Sequence, residues 1–211
     1  MDNSLSFSFF KRDTRVVARE LLGMRLVRLG PDGRRMSGLI VETEAYRRDD
    51  SASHSYHGET ERNAAMFMAP ATAYVYLIHG VHCCLNFSTE ETGAGAAVLI
   101  RALEPTEGID QIRQNRNQNR KSKKQFAFYD LCSGPARLCQ ALDIGLSLNK
   151  YNTLQAGSCL FVEFGPGFTD CLVSTSPRIG VIGDNTAVNC EWRWFVAGSP
   201  FVSHRLFSHP Q

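Results

Sequence analysis

One segment, Arg35–Tyr46, carries two carboxylates and an aromatic ring at the spacing of a β-strand. Side chains alternate along a strand, so we expect Ile40, Glu42, Glu44 and Tyr46 to share one face. Two glutamates so close disfavour each other's ionised form, and a sheet gains little stability from them. A carboxylate fixed on a strand beside a tyrosine suits a general base acting on a flat substrate. The alternative is an edge strand whose polar face is solvated.

Several flat rings lie close to this strand in the sequence, namely Tyr46, His54, Tyr74, Tyr76 and His79. Facing rings make a slot for a planar ligand, since base stacking on an aromatic side chain contributes roughly 1–3 kcal/mol. Asn86 suits the floor of such a slot, where its amide can read the edge of the ligand. Arg101 lies in an apolar strand and needs a partner if it is buried; Glu44 or a phosphate would serve.

The composition is that of an ordinary globular protein, with 211 residues, 43% hydrophobic, 21% charged and a net charge of +2. We expect a single domain over residues 1–211, with a flexible or loosely packed segment at 1–12. The charge excess is too small to indicate a polyanionic partner by itself. The sequence has no apolar run near 18 residues, and residues 1–10 show neither a basic leader nor a small-residue cleavage site, so we expect no signal peptide. It therefore predicts an intracellular protein without a membrane span.

Seven cysteines are present without any Cys-x-x-Cys pair, which favours a reducing compartment. The run His82-Cys83-Cys84 suggests zinc, but further ligands at metal-binding spacing are missing. Small buried cysteines in a strand are the favoured interpretation. We therefore expect neither a metal nor another cofactor.

Apolar periodicity and turn residues divide the chain into short elements. Asp13 suits the cap of a helix, and Pro31-Asp32-Gly33 suits the turn of a hairpin. These signals predict an α+β fold with a curved, mainly antiparallel sheet and surrounding helices. The predicted helices are Thr14–Leu22, a segment from Pro105 to about Asn115, and a segment from Ser133-Gly134-Pro135 to Leu142. The predicted strands are Met24–Leu29, Arg35–Tyr46, Ala73–Ile78, Cys83–Phe87, Ala96–Leu103, Cys159–Phe164, Arg178–Ile182 and Trp192–Val196.

The stretch Arg113–Lys124 holds six basic residues and no acidic residue. Such a run is typical of a solvated, mobile loop. It would also suit a flap that contacts phosphates. The sequence leaves both interpretations open.

The motifs together resemble the alkyladenine (3-methyladenine) DNA glycosylases of the mammalian type, from about Val16 to Ser203. Each motif is weak alone, but their number and order make the resemblance specific. They are Val41–Tyr46, His54-Ser55, Arg62-Asn63, Met66–Met68, Tyr74–Tyr76, Cys84–Asn86, Leu99–Pro105, Leu131–Pro135 and Gly198–Pro200. The same α+β fold is implied by the resemblance.

The resemblance implies a monofunctional enzyme of base excision repair. Such an enzyme flips an alkylated or deaminated purine out of duplex DNA and hydrolyses its N-glycosidic bond, leaving an abasic site. Glu44 would be the general base that activates water, Arg101 would help to hold that water, and the carbonyl of Ile179 would be a third water ligand. The implied partner is double-stranded DNA with damaged purines, bound by a monomer in the nucleus or the bacterial cytoplasm. The lesion preference is not implied.

The resemblance also assigns the remaining site residues. Tyr46, His54 and Tyr76 would form the stacking slot, and Asn86 would line its floor and discriminate against the amino group of guanine. Arg62, Met66 and the basic stretch would lie near the DNA. His79 stands where the family commonly has a tyrosine that wedges into the duplex; His82 is the alternative wedge.

Two other functions fit parts of the sequence. A catalytically silent nucleic-acid-binding module would keep the aromatic slot, although the intact Glu44 and Arg101 argue against it. A glycosidase or nucleoside hydrolase would use Glu42 and Glu44 as a pair. Neighbours on one strand face, however, lie on the same side of a ligand and cannot flank the bond to be broken. We therefore assign Glu42 a structural role.

Overall fold

The computed structural model describes residues 3–118 and 125–203. Within these ranges the helices are α1 (Phe7–Phe10), α2 (Thr14–Glu20), α3 (Ile109–Asn117), α4 (Pro135–Ala141) and α5 (Asn185–Asn189). The strands are β1 (Arg25–Leu29), β2 (Arg35–Tyr46), β3 (Thr72–Ile78), β4 (His82–Thr89), β5 (Ala96–Glu107), β6 (Tyr151–Asn152), β7 (Leu160–Glu163), β8 (Val173–Ser176) and β9 (Arg193–Val196). None of the described helices is long and apolar enough to cross a membrane.

The described strands join one sheet of nine strands with the order β6-β3-β4-β5-β2-β1-β7. Strand β9 pairs with β2 beyond the end of β1, and β8 pairs with β9. All pairings are antiparallel. Residues of α2, α3 and α4 share the main hydrophobic core with the sheet. The structure therefore confirms the predicted single-domain α+β fold with a mainly antiparallel sheet.

Helix α2 begins and ends where local chemistry predicts. The Asp13 carboxylate accepts a hydrogen bond from the Arg15 N–H at 2.8 Å, which satisfies one of the free donors of the first turn. Val17 and Ala18 are fully buried against the sheet. The helix ends at Glu20, and Gly23 then adopts a left-handed φ of +80°.

Strand β2 has the predicted bounds, but its side chains do not alternate regularly. The register with β5 shifts between Ile40 and Glu42 and again between Glu42 and Thr43. Val41 on β2 and Arg101 on β5 have no partner residue at these shifts, as in a β-bulge. As a result Ile40 lies in the main core with the helices and does not share a face with the glutamates. The predicted face was wrong at Ile40.

The helix predicted to begin at Pro105 begins later. Pro105 lies in β5 opposite Gly38, next to a register shift, where a residue without an N–H is tolerated. A Cβ atom on Gly38 would lie 2.8 Å from the Glu104 carbonyl oxygen, so the close approach requires glycine. Helix α3 begins only after Gly108, whose φ is +68°.

The predicted strand Arg178–Ile182 was also wrong, because these residues form a loop. The Arg178 guanidinium points inward, and the Ile179 N–H donates to a carboxylate instead of to a neighbouring strand. Two short strands, β6 and β8, were not predicted. Their sequences are too short to show a pattern of alternation.

The start of the chain packs against the sheet as far as it is described. Leu5 and Phe10 are each 1% exposed and belong to the main core, and Ser4 forms an isolated bridge with Glu163. Residues 3–12 are therefore better packed than the expected flexible or loose segment. At the basic stretch, α3 extends to Asn117, and residues 119–124 lie outside the described ranges.

Candidate active site

Glu44 is a fully buried carboxylate held by three donors. Its Oε1 accepts the backbone N–H of Ile179 at 2.8 Å, and its Oε2 accepts the Tyr46 hydroxyl at 2.8 Å. Arg101 Nη1 lies 3.1 Å from Oε2. These contacts fix the orientation of the carboxylate and compensate for the loss of its hydration.

Arg101 joins Glu44 to a second buried acid. It is 6% exposed; its Nε donates to Glu42 Oε1 at 3.0 Å and its Nη2 to Ser203 Oγ at 3.3 Å. Burial by itself would lower the pKa of Arg101, but the charges of Glu44 and Glu42 outweigh it and raise that pKa. Arg101 therefore remains charged beside both acids, as expected for a buried arginine with a partner.

Glu42 completes a charge-balanced cluster behind Glu44. Arg193 Nε donates to its Oε1 at 2.7 Å, and the Ser203 N–H donates to its Oε2 at 2.7 Å. Burial favours the neutral acid, yet the charges of Arg101 and Arg193 prevail and lower the pKa of Glu42. Two carboxylates thus face two guanidinium groups, and these contacts support a structural role for Glu42.

A cavity of about 350 Å³ opens beside this cluster. Tyr46, Arg101 and Ile179 line it and also contact Glu44, so the carboxylate lies directly behind the cavity wall. The wall also includes His54, Tyr76, Asn86, Arg62, His79 and Met66. Every residue predicted from the sequence for the site therefore reaches this cavity or lies just behind its wall.

The rings of the cavity are not parallel. His54 and Tyr76 lie 4.7 Å apart between centroids with their planes at 80°, and His54 Nδ1 lies 2.9 Å from the Tyr74 hydroxyl. A flat ligand can therefore stack face to face on His54 or on Tyr76, but not on both. The predicted slot of three stacking rings becomes a slot in which one ring meets the edge of the ligand.

The Tyr74, Tyr76 and His54 rings of the wall carry no charge at neutral pH, so its charge comes from side chains such as Arg62 and Arg101. Burial raises the pKa of Tyr74 to about 12 and raises that of Tyr76 further, so both phenols stay protonated. Desolvation against the rings, and then the positive charge of Arg62, lower the pKa of His54 below its usual value. The imidazole is thus neutral at pH 7.

Asn86 is held at the cavity by the sheet. It lies opposite Tyr74 in the β3–β4 register and is 4% exposed. Its Nδ2 donates to the Tyr74 carbonyl oxygen at 3.1 Å, which fixes the amide in one orientation. A rigid amide at this point can discriminate between the edges of planar ligands.

The three residues predicted to lie near DNA differ in exposure. His79 is exposed at the β3–β4 turn with a φ of +51°, and Arg62 is exposed with its Cζ 5.7 Å from the Tyr76 centroid. Met66 is only 2% exposed and packs with Tyr74. Met66 therefore belongs to the inner wall and not to an outer surface that a duplex could contact.

Four residues around the site were not found from the sequence: Asp50, Arg178, Arg193 and Ser203. Arg178 and Asp50 form a buried ion pair behind Tyr46. Arg193 could have been found from the sequence, because an arginine between two tryptophans in a predicted strand is expected to be buried. Asp50 and Ser203 lie in polar or irregular segments and had none.

The run His82-Cys83-Cys84 lies on a strand, as predicted, but only Cys84 is buried and Cys83 is half-buried. Among the residues of the two described ranges, no group of three His, Cys, Asp or Glu side chains is placed to hold a metal ion. His82, Cys83 and Cys84 lie in β4, and Cys84 is buried in the cavity wall.

Known proteins resemble this chain along nearly its whole length. The family model described as methylpurine-DNA glycosylase (MPG) matches residues 8–200. The mouse DNA-3-methyladenine glycosylase is 45% identical over 206 residues, which are 92% of this chain and 60% of the mouse protein. A Salinibacter ruber protein that carries the name of a 3-methyladenine DNA glycosylase is 43% identical over 209 residues, covering 94% of this chain and 96% of its own length. A similarly named Bacillus cereus protein is 42% identical over 205 residues, which are 94% of this chain and 98% of the Bacillus cereus protein.

Proposed function

The chain belongs to the methylpurine-DNA glycosylase family, and from that premise we propose how it removes an alkylated purine from DNA. It flips the purine out of the duplex into the ring-lined cavity. Water activated by Glu44 then hydrolyses the N-glycosidic bond and leaves an abasic site. Deaminated purines are proposed as further substrates.

The buried Glu44 carboxylate behind the cavity is the observation that carries this proposal. The water oxygen attacks the sugar C1′ as the bond to the base breaks, and the electron pair of that bond leaves with the purine. Glu44 accepts the proton of the water, and its charge stabilises the oxocarbenium-like sugar. Arg101 and the carbonyl of Ile179 are proposed to orient the water. No lysine nucleophile is required, so cleavage of the DNA strand is not expected.

The cavity walls suit a damaged purine better than a normal one. Flipping costs a few kcal/mol and least for damaged or mispaired bases. Tyr46 and one ring of the His54–Tyr76 pair would stack on the flipped base and offset that cost. Alkylated purines are electron-poor, which favours contact with tyrosine. Asn86 would discriminate against guanine.

The function is tested with duplexes carrying single N7-methylguanine, hypoxanthine or ethenoadenine residues, followed by alkaline cleavage of abasic sites. The expected result is release of at least one base with first-order kinetics under single-turnover conditions. Lesion binding without release would favour the silent binding module. Turnover of free nucleosides at a comparable rate would favour a nucleoside hydrolase.

The exposed His79 is predicted to act as the wedge that fills the space of the flipped base. His79→Ala should weaken both lesion binding and excision by roughly tenfold, since stacking on a base contributes roughly 1–3 kcal/mol. Affinity for a duplex with a hypoxanthine residue and single-turnover excision are the two measurements. His82→Ala is the comparison, because His82 is also exposed near the same turn and is the alternative wedge. It should leave both measurements near the wild-type values, and a loss in His82→Ala alone would assign the wedge to His82. If His79→Ala leaves binding and excision unchanged, His79 is not the wedge.

The neutral His54 predicts a pH dependence for cationic lesions. The pKa of His54 is lowered, so protonation begins only below its usual value near 6.5 and is completed as the pH falls through the lowered value. An imidazolium would then repel a cationic base. Excision of N7-methylguanine should fall by about three- to tenfold once the pH is below the lowered pKa of His54, which itself lies below about 6.5. His54→Gln should show a shallower decline, whereas His57→Gln should follow the wild type; identical profiles for all three proteins would contradict the role of His54.

A further inference from the structure

Behind the cavity, Arg178 forms a buried ion pair that takes no part in the proposed hydrolysis. Its guanidinium is paired with both carboxylate oxygens of Asp50. Further hydrogen bonds run to the Ala45 carbonyl at 2.9 Å and the Ala187 carbonyl at 3.0 Å. Both side chains are almost completely buried, at 0% and 1% exposure. These hydrogen bonds fix the position of the Arg178 guanidinium relative to the side chains around it.

The nearest neighbour is the ring of Tyr46. The Cζ of Arg178 lies over this ring, 4.6 Å from its centroid, and 5.4 Å from the centroid of Trp192. Arg178 Nε has no hydrogen-bond partner among the described residues, as expected for a guanidinium that contacts aromatic rings. Tyr46 lines the cavity and Arg178 does not. Tyr46 therefore contacts the fixed cation and also borders the space proposed for the flipped base.

This cation keeps its charge. Burial alone would lower the pKa of Arg178, but the hydrogen bonds and charge of Asp50 outweigh it, and the pKa lies above its usual value. The ring of Tyr46 thus already shares its π electrons with a cation on one side. A second cation that contacts the same ring gains less, whereas a neutral purine does not suffer this loss.

We propose that Arg178, through Tyr46, is a specificity-determining residue that favours neutral lesions over cationic ones. The inference rests on the proposed function, because it concerns which purine the same cavity accepts. The Asp50 carboxylate partly neutralises the positive charge of Arg178 and so weakens the repulsion between Arg178 and a cationic base. Arg178 does not touch the substrate and is a positioning residue in this scheme.

The test compares single-turnover excision of N7-methylguanine, which is cationic, with that of hypoxanthine, which is neutral. The ratio of the two rates in one protein cancels a general loss of folding or of water activation. In the double variant Asp50→Asn/Arg178→Gln both charges are gone, and the ratio should rise about three- to tenfold. In Asp50→Asn alone the cation is uncompensated, and the ratio should fall by a similar factor.

The opposite signs of these two effects make the test decisive. A merely structural role would lower both rates together or shift the ratio the same way in both variants. Arg178→Lys keeps a cation at this position, so its ratio should stay within about twofold of the wild-type ratio. If only one charge-changing variant folds, its ratio is compared with that of Arg178→Lys, and a similar shift in both would contradict the inference. Unchanged ratios in the charge-removing variants would overturn the inference while leaving the proposed function intact. A wild-type protein that releases neither base would overturn the proposed function instead.

Discussion

Glu44→Gln is expected to abolish release of the damaged base while leaving lesion binding within a few-fold of the wild type. The amide keeps the shape of the side chain but can neither accept the proton of the water nor stabilise the sugar cation. Positioned general acid–base groups contribute about 10²–10⁴-fold to a rate, so single-turnover excision should fall by at least a hundredfold. Binding to a duplex with an uncleaved lesion measures the other half of the prediction.

Glu91→Gln is the matched control for this substitution. This substitution makes the same chemical change at an exposed position. The side chain of Glu91 is 72% exposed and forms a surface ion pair with Lys11. Its excision rate should equal that of the wild type. If Glu44→Gln retained base release at a comparable rate, Glu44 would not be the general base.

Glu42→Gln is expected to lower the free energy of unfolding by about 3–5 kcal/mol, the usual cost of removing one partner from a buried ion pair. The substitution leaves Arg101 and Arg193 without the carboxylate that both contact. Because Arg101 also contacts Glu44, excision should fall as well. Denaturant unfolding monitored by circular dichroism measures the first effect.

The same substitution should change the response to acid. The pKa of Glu42 is lowered from its usual value near 4.5, so its ionisation stabilises the fold above that value. This stabilisation is lost as the pH falls through the lowered pKa, and the variant lacks it at every pH. The difference between the two proteins should therefore shrink as the pH falls from the usual value near 4.5 through the lowered pKa of Glu42. Glu91→Gln should lose at most about 1 kcal/mol, as for a surface ion pair; a Glu42→Gln protein as stable as this control would contradict the structural role of Glu42.

Much of the sheet around the site could be predicted because its signals are local. The hairpin of β1 and β2 follows from a turn sequence between two apolar runs, and β2 has the predicted bounds Arg35–Tyr46. The helix α2 follows from a capping aspartate and an apolar face. The predictions failed where strand pairing decides the geometry. Ile40 lies on the opposite face from the predicted one because of a register shift. Pro105 lies in strand β5, beside a second register shift, and does not begin a helix.

The loop at Arg178 shows a second kind of failure. Its apolar and β-branched residues suggest a strand. Its backbone does not pair with a neighbouring strand, however, because the Ile179 N–H donates a hydrogen bond to Glu44, 135 residues away in the sequence. The contact between Ser203 and Glu42 spans 161 residues. Hydrogen bonds over such separations leave no periodic pattern in a single sequence, so only the folded chain reveals them.

By itself, the sequence determined the candidate site residues: a strand with Glu44 and Tyr46, rings on neighbouring segments, and an arginine in an apolar strand. These are properties of residue types and short-range spacing. The tertiary structure alone decided that Glu44 is buried and held by three donors, that Glu42 balances two arginines, and that a cation lies behind Tyr46. The physical reason is that burial and charge pairing depend on which distant segments the sheet brings together.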